Sequence, residues 1–217
     1  MKQDNGGFSG RYLMRSCVLL LLLAGLTGCA GMASQQGNET GLTDARAKIS
    51  LGRCDNGLVA DLRRYKAPEL EQQAAYVCLQ QGEVAAVETL LQDYAKRHVD
   101  PPYPDYSAYL VALAQYGRFE LAAEDDAMRL QEGRKVHARF AEFVQRYPES
   151  EYRSEVAPRL YELLQEMAVT EYRLAMQAVE AGDLQAGEAR MRYIARYYPH
   201  TESGRNANEW LDRLPQP

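Results

Sequence analysis

Little in this sequence could do chemistry at a metal or a nucleophile. It has three histidines, four cysteines and one tryptophan in 217 residues. His98, His137 and His200 are dispersed and fall near expected helix ends, where a histidine interacts with the helix dipole. No HExxH, GxSxG or phosphate-cradling glycine loop is present, so no catalytic residue, metal ligand or cofactor is assigned. Glu124-Asp125-Asp126 lacks the ligand spacing of a calcium loop and reads as a solvated face. Strand-type alternation of apolar and polar residues is absent, which argues against a β architecture. Basic charge is not in excess: 25 Lys and Arg stand against 30 Asp and Glu, a net of −5, with no basic stripe. Nucleic acid is therefore not an expected partner. The one long apolar run, Cys17 to Leu26, covers about ten residues, half of the roughly 20 a membrane-spanning helix needs.

That run carries information. Arg11 and Arg15 precede it, as in a secretion signal, and it ends in Leu26-Thr27-Gly28-Cys29. The ending resembles the bacterial lipobox, in which the chain is cut before the cysteine and the cysteine is acylated. The alternative is an ordinary secretory signal followed by a chance cysteine. On the lipobox reading residues 1–28 are a signal peptide and Cys29 is the lipidation site. Each buried CH2 contributes about 0.8 kcal/mol to membrane anchoring. Residue 30 is alanine, not the aspartate that tends to retain such proteins at the inner membrane, so the resemblance implies the outer membrane. Translation starts at Met1 or, for a more usual signal, at Met14. From Cys29 onward 22 basic residues face 29 acidic ones, so the anchor, not surface charge, must supply membrane binding.

Residues 29–42 are small, polar and glycine-containing and read as a lipidated flexible tether. Cys54 and Cys78 remain as a pair in an oxidising compartment. They form either a disulfide, adding about 3 kcal/mol, or two separate buried thiols.

The rest, 43–217, reads as one all-α domain. Alanine, leucine, glutamate, glutamine and arginine dominate, and Gly and Pro punctuate helices expected near 43–51, 57–65, 67–81, 83–98, 105–116, 118–131, 134–147, 151–181, 183–198 and 201–213. Stripes at steps of three and four mark core faces: Leu90, Leu91 and Tyr94; Val136, Phe140, Phe143 and Tyr147; Met191, Ile194 and Tyr198. Trp210, on the last helix, is expected to cap the open end of the solenoid, the alternative being a ligand contact. Pro158 implies either a late helix start capped by Ser154 or a kink.

The pattern repeats. "RFAEFVQRYPES" (139–150) and "RMRYIARYYPHT" (190–201) share a Tyr-Pro-x-Ser/Thr ending. Proline stops one helix and Ser150 or Thr201 is expected to cap the next. Gly82-Glu83 and Gly182-Asp183 recur between paired helices. Ala175, Gly182, Gly187, Met191, Ile194 and Pro199 fall at the spacing of a tetratricopeptide repeat. Ala75, Gly82, Val87, Leu91 and Tyr94 take the same slots earlier, and Phe140, Phe143 and Pro148 take them after an insertion at 117–133. Three to four imperfect units of this kind form a solenoid with a concave binding surface.

These residues carry a resemblance. "HARFAEFVQRYPESEYRSEVAPRLYELLQEMAVTEYRLA" and "ARMRYIARYYPHT", with "APELEQQAAYVCLQQGEVAAVETLLQDY" and "PDYSAYLVALAQ" upstream, are similar to the BamD family, tetratricopeptide lipoproteins of the outer-membrane β-barrel assembly machinery. The resemblance covers about residues 67–213. It implies a non-enzymatic scaffold, lipid-anchored in the outer membrane and facing the periplasm. The implied partners are a POTRA domain of the barrel-forming protein, other lipoproteins of the machinery, and unfolded outer-membrane proteins. Aligned backward from Tyr198-Pro199, the family's partner-binding arginine is Arg190. Gln72, Tyr76, Gln80, Ser107 and Tyr172 are the candidates for lining the peptide groove, the alternative being half-buried core. The first repeat reads as shortened. The other functional reading is a different outer-membrane tetratricopeptide lipoprotein, such as a secretin pilotin or a cell-wall synthesis adaptor.

Overall fold

The computed structural model describes residues 29–214, with side chains from residue 39. The signal segment 1–28 and the side chain of Cys29 lie outside the described residues, so the signal, lipidation and start-site expectations are untouched by it. The described residues form helices joined by short turns, with no strand among them. In order they are α1 (Cys29–Ser50), α2 (Asn56–Tyr65), α3 (Pro68–Gln80), α4 (Val84–Leu91), α5 (Tyr94–Arg97), α6 (Pro104–Leu121), α7 (Asp126–Arg146), α8 (Arg153–Glu180), α9 (Leu184–Tyr197) and α10 (Glu202–Asp212). Helices α3/α4, α6/α7 and α8/α9 pack as antiparallel hairpins. The α1/α2 pair lies ahead of them and α10 covers the last pair. This is a tetratricopeptide-like helical-hairpin solenoid.

The helix signals act where expected at the repeat marks. Gly82 and Gly182 turn the chain with φ of 75° and 84°, a region only glycine enters freely. Asp183 caps α9 by accepting from the Ala186 N–H at 3.0 Å. Helices α7 and α9 end at Arg146 and Tyr197, just before each Tyr-Pro pair. Thr201 caps α10, its hydroxyl accepting from the Gly204 N–H at 2.9 Å.

Several boundaries differ, each for a physical reason. Residues 29–42, expected as a flexible tether, are helical and form the first part of α1. Leu42 packs on the first core, and a Cβ on Gly41 would collide with the Tyr65 ring. The first repeat is therefore not shortened at its first helix. Gly117 and Gly133, read as helix ends, lie inside α6 and α7. There they allow close approach: added Cβ atoms would meet Val84 Cγ1 at 2.9 Å and Met167 Sδ at 2.8 Å. The insertion 117–133 is simply the longer top of the α6/α7 hairpin. The helix expected over 83–98 breaks at Asp93, which takes φ of 51°. Ser150 does not cap α8; its hydroxyl donates to Asp105 Oδ2 at 2.7 Å, tying the turn to α6. Helix α8 starts at Arg153, and Ser154, the expected cap, donates instead to the Glu151 carbonyl. Pro158 thus sits inside the helix. Nor is the acidic run merely solvated: Asp125 caps α7 and Asp126 pairs with Arg173 of α8. That pairing holds the Asp126 carboxyl below its ordinary range.

Two clusters of buried side chains run through the solenoid. The first joins α1 to α4 and takes Leu110 and Ala114 from α6. The second takes Tyr109, Ala112 and Phe119 from α6 and extends to α10, with Phe140, Phe143, Met191 and Ile194 fully or almost fully buried. Helix α6 belongs to both. Trp210 and Leu211 pack on the second cluster from α10.

Candidate functional site: an arginine-bearing helix face and a tyrosine groove

Helix α9 is the second helix of the last hairpin. Gly187, buried, lets it approach α8 at Ala175 and Val179. Met191, Ile194 and Tyr198 turn inward, as their spacing predicts. The adjacent stripe, one residue earlier and so about 100° round the helix, presents Arg190, Tyr193 and Tyr197, at i, i+3 and i+7 on one face. The Arg190 Nη1 donates to Glu171 Oε2 of α8 at 2.5 Å; the Glu171 side chain is 7% exposed and that of Arg190 is 41% exposed. The buried carboxylate thus grips one edge of the guanidinium while much of the group still meets solvent. A pair in this position is anchored on one side and screened on the other. The Tyr193 and Tyr197 rings pack with centroids 4.7 Å apart, tilted by 42°, and Arg196 lies over the Tyr197 ring at 5.4 Å. Beneath them the Tyr198 hydroxyl is buried, which raises its pKa; neighbouring Tyr193 and Glu171 add to the rise.

The groove candidates separate into three groups. Tyr76 and Gln80 stand exposed on α3, joined by a 2.8 Å hydrogen bond from Gln80 Nε2 to the Tyr76 hydroxyl. Tyr76 lines a cavity of about 480 Å³ with Ile49, Gln73, Tyr103 and Tyr106. Gln72 and Ser107 are buried and engaged with each other. Gln72 also lines the Tyr76 cavity, but its Nε2 donates to Ser107 Oγ and the Pro102 carbonyl, both at 2.7 Å, and so braces the 98–103 turn. Tyr172 packs against the second core, away from the cavity-lining residues. Tyr103 and Tyr106, which the helical phase alone did not single out, line the cavity as well. Burial pushes the Tyr106 hydroxyl up to about 12.

Two further constellations emerge. Cys54 and Cys78 are joined in a disulfide with Cα atoms 5.0 Å apart, pinning the α1–α2 turn to α3. Glu71, fully buried on α3, receives Arg97 Nη2 at 2.6 Å and Nη1 at 3.1 Å, and His98 Nε2 lies 3.1 Å away. His98 therefore has a specific buried partner beyond the helix dipole. Among the described residues no three or more His, Cys, Asp or Glu side chains gather as metal ligands would. No described helix is long and apolar enough to cross a membrane.

A family model described as YfiO, outer membrane lipoprotein, matches residues 59–212. The match spans most of the chain and all the helices from α3 to α10. The chain belongs to this family of outer membrane lipoproteins.

Proposed function

We propose that this protein is a non-enzymatic scaffold subunit of the machinery that assembles and inserts outer-membrane β-barrel proteins. In this reading Cys29 carries the lipid, the domain faces the periplasm, and the last hairpin holds a POTRA domain of the barrel-forming partner through Arg190. The groove beside Tyr76 receives unfolded barrel substrates. The family match over 59–212 supports the compartment and the fold. The single observation that carries the partner contact is Arg190 itself, half-exposed on α9 and held by the buried Glu171. A guanidinium anchored at one edge keeps donors for a second carboxylate at low entropic cost, and arginines of this kind act as interface hot spots.

The test is affinity purification from detergent-solubilised outer membranes, with mass spectrometry, on wild type and Arg190→Gln. The neutral replacement avoids setting a second carboxylate against Glu171, and melting curves confirm that it folds. Recovery of a POTRA-bearing barrel protein by wild type, and its loss with Arg190→Gln, supports the reading. Recovery of a single secretin or a cell-wall enzyme in its place would favour the other class of tetratricopeptide lipoprotein. Loss of membrane association in Cys29→Ser tests the anchor.

A further inference from the structure

Exposed large apolar side chains are scattered over most of this surface, but on α9 they sit in register with charge. Tyr197 is 56% exposed and Tyr193 37% exposed. Both share the Arg190 face, and their rings are packed against each other. Tyrosine presents a large, rigid area with two side-chain torsions and a polar tip, which is why it is enriched at protein interfaces. The helix also runs against the charge of the molecule. It carries three arginines, Arg190, Arg192 and Arg196, and one acid, Glu188, on a chain of net charge −5. Glu188 is occupied by Arg192, whose Nη2 lies 2.5 Å from it. Arg190 is bonded to Glu171 through one nitrogen, Nη1, which leaves the rest of its guanidinium for an acid brought by a partner.

We propose that Tyr193 and Tyr197 form the apolar flank of a docking strip on α9 that seats an acidic side chain of a folded protein partner against Arg190. The strip rests on the reading of Arg190 as the partner contact and adds the residues that would make that contact tight and specific. The tyrosine pair covers one side of the bound carboxylate, excludes water from the ion pair and lowers the local dielectric. An exposed ion pair contributes little; a desolvated one with good geometry contributes several-fold more. Arg196, lying over Tyr197, keeps that ring in place from the outer side.

The measurement uses the soluble chain from residue 30 and the recombinant POTRA domains of the barrel protein recovered in the purification above. Binding is followed by biolayer interferometry at two salt concentrations. The expected result is that Tyr193→Ser and Tyr197→Ser each weaken binding at least about tenfold, mainly through faster dissociation. Tyr197→Phe should retain binding. Arg190→Gln should lose binding and flatten the salt dependence. Tyr161→Ser, on an exposed face of α8, should change nothing. Unchanged affinity in both serine variants, with Arg190→Gln still defective, would overturn the strip while leaving the partner assignment standing. Absence of wild-type binding would overturn both. A wild-type dimer by light scattering that becomes monomeric in Tyr197→Ser would show that a second copy is the occupant, and would also overturn the assignment. Melting curves on each variant keep a folding defect apart from a binding one.

Discussion

The two ends of the solenoid are held together by different means. Around the first core the buried side chains are aliphatic, Leu58, Leu62, Leu90 and Leu110 among the largest, with Tyr94 as the aromatic one, and covalent and polar links add to the packing. The Cys54–Cys78 disulfide, the buried Glu71 with Arg97 and His98, and Gln72 with the 98–103 turn all converge on α3. The connection α3 secures is irregular: Asp93, Asp100 and Tyr103 all take positive φ. Around the second core aromatic packing does the same task. Phe119, Phe140 and Phe143 are buried, and Tyr109 stacks on Tyr152 at 4.8 Å. The lesson is that a repeat array tolerates local irregularity where specific links reinforce aliphatic packing. Those links are also more exposed to chemistry, because reductant and pH act on a disulfide and on ion pairs and leave phenylalanine untouched.

Each prediction sets one end against the other. The largest effect is expected from Phe140→Ala, which should cost about 3–5 kcal/mol. Hydrogen exchange should rise in α7 to α10 before it rises in α3. Arg97→Ala strands the Glu71 carboxylate in the first core and should cost about 3 kcal/mol, with exchange rising first in α3 and the 92–103 segment. If both variants loosen the whole chain equally, the two cores are one cooperative unit and the contrast is wrong. Reduction of the disulfide should lower stability by about 3 kcal/mol, seen as a fall in urea midpoint that a Cys54→Ala, Cys78→Ala variant no longer shows. Thr201→Ala removes the α10 cap and should cost about 1 kcal/mol, detected as fraying at the C-terminal end alone. The smallest effect concerns acid. The Asp126 pKa is lowered from 3.8 by Arg173. The stability of that link between α7 and α8 is therefore present above the unfolded value and is lost as pH falls through the lower folded value. Asp126→Asn should remove that part of the loss below about pH 4, measured as a smaller drop in Tm on acidification.

Much of the fold was legible because repeats announce themselves twice, once in the core stripe and once in the stop. Leu90, Val136 and Ile194 fell where period 3.6 put them, and Pro148, Pro199, Gly82 and Gly182 ended helices as their backbones require. The errors came from residues with two physical uses. Glycine stops a helix by taking positive φ or narrows it for a neighbour, and only the neighbour distinguishes them; Gly117 and Gly133 did the second. Ser150 has a hydroxyl either for its own helix or for Asp105, and Asp105 lies 45 residues away. Helical phase places Gln72 at the cavity, where it is, but phase says which side a residue faces and not whether its polar group is already bonded to another segment, as those of Gln72 and Ser107 are. Tyr193 and Tyr197 carried no such signal, because the α9 core stripe leaves out most positions of the helix, and it is their packing beside Arg190 that sets them apart.

Helix α6 contributes Leu110 and Ala114 to one core and Tyr109, Ala112 and Phe119 to the other. A gene split in the turn before α6 would leave the N-terminal fragment missing part of its interior and give the C-terminal fragment an uncovered apolar strip. A split after α6 would reverse the defect. Neither pair of fragments would be soluble alone, yet each pair would have complementary apolar surfaces to reassemble on. Co-expressed halves divided at 122–125 should therefore reconstitute the molecule where either half by itself aggregates.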